Sequence, residues 1–266
     1  MPHNPVATAF QNSVPKAVFV RIKTLSIIMA AILLCSGCSI TKASIMSFFG
    51  KRTPVVNTPE ALYARGTADY QEGSYKRARE VFTRLKEEYP LHELAVLAEL
   101  GIADSYYSNK DYVEAEGVYR DFVELHPTDE NVPYAIYQTG MCHFQQIEDI
   151  DRDQTQTVKA RKEFEKLTAR YPQSKFALLA EKMTRECNIR LAEREFYVGN
   201  FYFKLKKYQA ALDRFEGIKR GYPGVGLDLK VEAYIAQTTR LIEEEEKAKK
   251  LKEEKARKGF FRRFLP

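Results

Sequence analysis

The stretch LYARGTADYQEGSYKRAREVFTRLKEEYP, Leu62 to Pro90, decides the fold. Small or apolar residues recur at helical spacing through Leu62, Gly66 and Tyr70, and a Gly73-Ser74 break follows. A second run carries Tyr75, Ala78, Phe82 and Leu85 before Pro90 stops it. Two short amphipathic runs around one tight break predict a helix–turn–helix. The unit returns through Ile102, Ala103, Tyr106, Tyr112, Ala115, Tyr119, Phe122 and Pro127, and again through Gly140, Ala160, Phe164, Leu167 and Pro172. A fourth copy holds Gly199, Tyr202, Tyr208, Ala211, Phe215, Ile218 and Pro223.

Helical hairpins repeating in this way, with small residues where two antiparallel helices approach and aromatics filling the gaps, are of the tetratricopeptide type. The expected fold is an all-α tetratricopeptide-repeat solenoid of about five helical hairpins, the last incomplete, over residues 58–242. Thr58 and Pro59 start the first helix as cap and first helical residue. Gly73 suits the left-handed helix end and Ser74 the next cap, while Asp111 and Glu114 have capping-box spacing. The third copy departs from the pattern: QQIEDIDRDQTQTVK, between Phe144 and Ala160, is about eight residues longer than the equivalent turn. Asp149, Asp151 and Asp153 alternate there, but the Gly and closing Glu of a calcium loop are missing, so it reads as a polar surface loop. Ser174 caps a long helical stretch through Leu205, which contains the connection into the fourth repeat.

The start of the chain reads differently. LSIIMAAILL, Leu25 to Leu34, is too short to span a bilayer and follows Lys16, Arg21 and Lys23, as in a secretory signal peptide. Cys35-Ser36-Gly37-Cys38 then resembles a bacterial lipoprotein signal. Residues 1–37 are expected to be removed and Cys38 lipidated, with 38–57 as a tether. Ser39 after the cysteine implies sorting to the outer membrane, where several acyl chains hold a protein effectively permanently. The net charge of +6 falls to about +3 without the leader and is finely mixed in sign, which argues against a nucleic-acid partner.

At the other end, residues 243–266 form a charged helical extension, EEEEKAKKLKEEKARK, and a tail, FFRRFLP. Glu243 to Lys247 and Glu245 to Lys249 are helix-supporting pairs worth a few tenths of a kcal/mol each. The tail suits an anionic membrane or a partner's groove, and equally a disordered end.

No catalytic, cofactor-binding or metal-binding residues are expected. His3, His92, His126 and His143 are scattered without ligand spacing, and neither a phosphate loop nor a nucleophile elbow occurs. His126 reads as a loop residue. Cys142 and Cys187 either pair in an oxidising compartment or serve as small buried apolar residues. The array offers instead a groove lined by the first helix of each hairpin. Repeat register places Tyr63, Tyr70, Tyr107, Tyr134, Tyr137 and Phe144 on or near it, as rigid amphipathic anchors for a peptide. The competing reading of each is packing between hairpins.

The order of features resembles the BamD family, lipid-anchored tetratricopeptide subunits of the outer-membrane β-barrel assembly machinery. The resemblance covers roughly Ala61 to Gly224. It is carried by Tyr89-Pro90-Leu91, by Pro127-Thr128 followed by Tyr134 and Tyr137, and by Gly140. Asp151-Arg152-Asp153, Tyr171-Pro172-Gln173-Ser174 and Arg214-Phe215-Glu216-Gly217 before Tyr222-Pro223 complete it. The family implies a non-catalytic scaffold on the periplasmic face of the outer membrane, with N-terminal repeats that receive unfolded outer-membrane proteins. Its C-terminal repeats dock a periplasmic domain of the barrel-forming subunit, with other assembly lipoproteins as further partners, and Arg214 stands where the family places a docking arginine. The charged extension and tail depart from the better-known members. A second reading keeps the fold and makes the chain an envelope scaffold for peptidoglycan synthesis or cell division.

Overall fold

The computed structural model describes residues 57–264, with side chains through Phe260. The expectations for the leader, for the lipidated Cys38, and for the tether up to residue 56 lie outside the described residues, as do Leu265 and Pro266. The described residues form nine α-helices and no strand: α1 Pro59–Gln71, α2 Tyr75–Glu88, α3 Glu93–Ser108, α4 Tyr112–Leu125, α5 Val132–Gln145, α6 Thr155–Arg170, α7 Lys175–Lys204, α8 Tyr208–Gly221 and α9 Asp228–Phe264. Each helix packs on its neighbours in the chain, and α1 also meets α3 and α5 meets α7. Contacts that are almost all between successive helices define a solenoid. Four hairpins are complete, and α9 stands as the single helix of a fifth. The fold is the all-α tetratricopeptide solenoid that the repeat pattern predicts.

One register repeats through the array. A glycine on the first helix, Gly66, Gly140 or Gly199, faces a buried ring on the second, Phe82, Phe164 or Phe215, and in the second hairpin the buried Ala103 and Tyr119 hold the corresponding positions in one core cluster. These pairs are sixteen residues apart except the third, which is twenty-four apart because the polar loop is inserted there. Three residues before the small residue, Tyr63, Tyr137 and Phe196 lie against the same ring at centroid distances of 5.8, 5.7 and 5.4 Å. Four residues after it, Tyr70, Tyr107 and Phe203 meet Tyr75, Tyr112 and Tyr208 edge-on across the turn at 5.5, 5.4 and 5.7 Å. Phe144 occupies that position in the third hairpin, beneath the Arg190 guanidinium at 5.3 Å. The buried Ala78, Ala115, Ala160 and Ala211 let the second helices approach closely.

Two kinds of turn alternate, and they explain which caps form. Thr58, His92 and Ser174 precede first helices with extended ψ of 157°, 142° and 143°, and each side chain accepts a backbone N–H two or three residues on. That is the geometry a capping side chain needs. Ser74 and Asp111 precede second helices with ψ of 56° and 67°, and neither caps, contrary to the sequence expectation. The turn is made instead by the left-handed residue before each, Gly73 at φ 77° and Lys110 at φ 69°, with Lys206 at φ 58° repeating it in the fourth hairpin. The Ser74 hydroxyl accepts from the Arg77 guanidinium at 2.9 Å.

The connection into the fourth repeat is an uninterrupted helix: α7 runs 30 residues, its first part packed on α6 and its last part paired with α8. Helix α9 is packed through Val231, Tyr234, Ile235 and Thr238 and is exposed along the charged run from Glu243 to Phe260. Glu243 pairs with Lys247 at 3.9 Å, as its spacing suggests. Cys142 and Cys187 are buried and unbonded, with desolvation pushing both thiols up to about 12. His126 is more than a loop residue, since its Nε2 lies 2.9 Å from Glu99 Oε2. In the polar loop, Asp153 Oδ1 accepts the Thr155 N–H at 2.8 Å. No cluster of metal-ligating groups occurs among the described residues.

Candidate functional site

Helices α1, α3 and α5, with the start of α7, surround a cavity of about 680 Å3, the largest described. Tyr63, Thr67 and Tyr70 come from α1, Leu97, Leu100, Gly101 and Asp104 from α3, and Tyr134 from α5. Phe82 of α2 reaches it between two glycines, while Lys175 and Phe176 of α7 close the far wall, with Glu130 and Asn131 at the turn before α5. The wall is aromatic and aliphatic with a few polar groups, the composition of a ligand-binding cleft.

The fold therefore brings Tyr63, Tyr70 and Tyr134 together and leaves Tyr107, Tyr137 and Phe144 off this cavity. Tyr63 lies tilted on Phe82. The Tyr70 hydroxyl is 2.8 Å from Ser108 Oγ, which ties α1 to α3 beside the groove. Tyr107 accepts from the Gln145 amide at 3.2 Å, and burial pushes its phenol up to about 12. Tyr137 is wedged between Phe164 and Phe176, at 5.7 and 5.8 Å, and so shapes the groove from behind through Phe176.

The polar feature of the wall is Asp104. Its Oδ1 accepts the hydroxyls of both Tyr119 and Tyr134, at 2.5 and 2.6 Å. Burial raises its carboxyl above the usual range, and the two tyrosine hydrogen bonds only partly offset this. The Tyr134 phenol is raised in turn by burial and by Asp104. Composition gives no sign of this group, because an acid in a helix reads as solvent-facing. The available clue is its place, one residue after the buried Ala103 in ELAVLAELGIADSYYS. Repeat register does not single out Lys175 and Phe176 either, since they come from the start of the next repeat.

Arg214, on α8, lies at the other end of the array. Its Nη1 is 2.9 Å from Glu195 Oε2 of α7, beside Tyr202, Asp213 and Gly217. The hydrogen bond and the charge of Glu195 raise the guanidinium further above its ordinary range. Both partners are well exposed, at 46% and 32% of their side-chain surface.

The Outer membrane protein assembly factor BamD of Rickettsia prowazekii (strain Madrid E) is 30% identical over 200 residues, covering 75% of this chain and 76% of that protein. The BamD of Caulobacter vibrioides is 29% identical over 196 residues, covering 73% of this chain and 63% of that protein. The BamD of Vibrio cholerae serotype O1 is 28% identical over 191 residues, covering 66% and 79%. The profile of the YfiO family, described as outer membrane lipoprotein, matches residues 56–253, nearly all of the helical array, and the chain belongs to this family, that of the BamD assembly factors.

Proposed function

We propose that the chain is a non-catalytic scaffold in outer-membrane β-barrel assembly, held to the periplasmic face of the outer membrane by acyl chains on Cys38. In this reading the groove of α1, α3, α5 and α7 binds nascent outer-membrane proteins, and the end of the array bearing Arg214 docks the barrel-forming subunit, alongside other assembly lipoproteins. The observation that carries it is the cavity itself. The first, third and fourth hairpins put aromatic side chains around one opening large enough for several residues of an extended chain, and the second adds Leu97, Leu100 and Asp104. Rigid aromatics hold such a chain at low entropic cost.

The Arg214–Glu195 pair supports the docking role by being replaceable. An exposed ion pair contributes about 0–1 kcal/mol, so a partner carboxylate competes for Arg214 at little cost to the fold. Depletion of the protein is expected to leave unfolded porins in the periplasm, and a large β-barrel protein should co-purify with it. Normal porin assembly after depletion would overturn the proposal.

A further inference from the structure

Asp104 is a carboxylate set into an apolar wall with only one of its oxygens occupied. Tyr119 of α4 and Tyr134 of α5 both donate to Oδ1, so two different helices hold the carboxyl group in one orientation. Oδ2 takes no hydrogen bond from any described residue and is not sealed from solvent. The residue lines the cavity, so Oδ2 is an acceptor offered to whatever enters. A buried carboxylate lacking a second donor is costly, and burial has raised this one's affinity for a proton. An occupant that brings a donor relieves that cost.

Resting on the proposed capture of unfolded chains in this groove, we infer that Asp104 fixes the main chain of the captured segment. Its Oδ2 accepts one backbone N–H while an aromatic side chain of the segment lies among Tyr63, Phe82 and Phe176. A receptor for many different clients has to read what they share. An extended chain carries an N–H at every non-proline residue, and a buried N–H requires an acceptor. The same oxygen repels a carboxylate, so acidic residues and a free chain terminus are excluded from this point of the groove.

The test uses a fluorescent aromatic strand peptide without Lys, Arg, Asp or Glu and with an amidated end, together with its singly N-methylated series. Binding is measured to the full leaderless chain and to Asp104→Asn. Asparagine keeps an oxygen for both tyrosine hydroxyls and puts an N–H2 where Oδ2 stood, turning the groove's acceptor into a donor. One methylation position should weaken binding to the wild type about tenfold or more, as expected for a lost hydrogen bond to a charged group. D104N should weaken the parent peptide similarly and lose its sensitivity at that position, with helicity unchanged. The N-methyl series needs no mutation, so it decides even if D104N folds poorly. If the parent peptide binds and every methylated peptide binds equally, or if the same position still matters in D104N, the inference is overturned. If the wild type does not bind the parent peptide, the groove reading falls and the inference with it.

Discussion

A methyl group added to Gly66 would sit 2.6 Å from Cε1 of Phe82, and one added to Gly101, on the first helix of the next repeat, would sit 2.7 Å from Cε2 of the same ring. The ring is held between two glycines on successive first helices and has no direction in which to yield. Gly66→Ala therefore sets an overpacking cost of roughly 1–3 kcal/mol against a helix-propensity gain of about 1 kcal/mol. The expected result is a net loss of up to about 2 kcal/mol in urea unfolding. Gly117, inside α4 with nothing within 4 Å of an added Cβ, is the control. There the propensity gain stands alone, and Gly117→Ala should stabilise by up to about 1 kcal/mol.

Lys110 and Lys206 hold the left-handed conformation that Gly73 holds at the same turn of the first hairpin. A side chain there carries a steric penalty that glycine avoids. Lys110→Gly and Lys206→Gly should each raise stability by about 0.5–1 kcal/mol in denaturant unfolding, reduced in part by the extra freedom of glycine in the unfolded chain. Lys207→Gly, next to the left-handed residue at φ −86°, should lower it.

Asp104 gives the fold a pH dependence of definite sign. Its carboxyl is raised by burial in the folded chain, so the folded state holds the proton more tightly than the unfolded state. The stability this supplies is fully present below the unfolded aspartate value of about 3.9 and is lost as pH rises through the higher folded value. Asp104→Asn does not titrate, so its stability relative to wild type should be more favourable at pH 7 than at pH 3. Melting curves of both proteins across that range check the sign. A difference that moves in the opposite direction would mean that the tyrosine hydrogen bonds outweigh burial.

Arg214 separates docking from folding. Because its pairing with Glu195 is exposed, Arg214→Ala should change stability by less than about 1 kcal/mol. Under the proposed docking role, the same variant should lose co-purification of the barrel-forming subunit. Arg77→Ala is a matched exposed arginine at the other end, and it should leave co-purification intact.

The fold was readable because it repeats: small residue, ring and proline recur in four copies, so each copy checks the others. The caps were half readable. Ser74 and Asp111 have capping chemistry, but the left-handed residue before each sets a ψ that turns the side chain away from the helix amides. The groove was half readable for a related reason. Tyr70, Tyr107 and Phe144 occupy one repeat position and look identical by periodicity, yet only Tyr70 borders the cavity. Which copy faces the opening depends on Lys175 and Phe176, over a hundred residues downstream in α7, and no local pattern encodes that distance.

The most direct test of the central claim places a photo-crosslinking side chain at Thr67, on the cavity wall, and at Glu87, exposed on α2, in cells making porins. The account predicts that unfolded outer-membrane proteins are captured from position 67 and not from position 87. Capture of none from position 67, or equal capture from both, would contradict it.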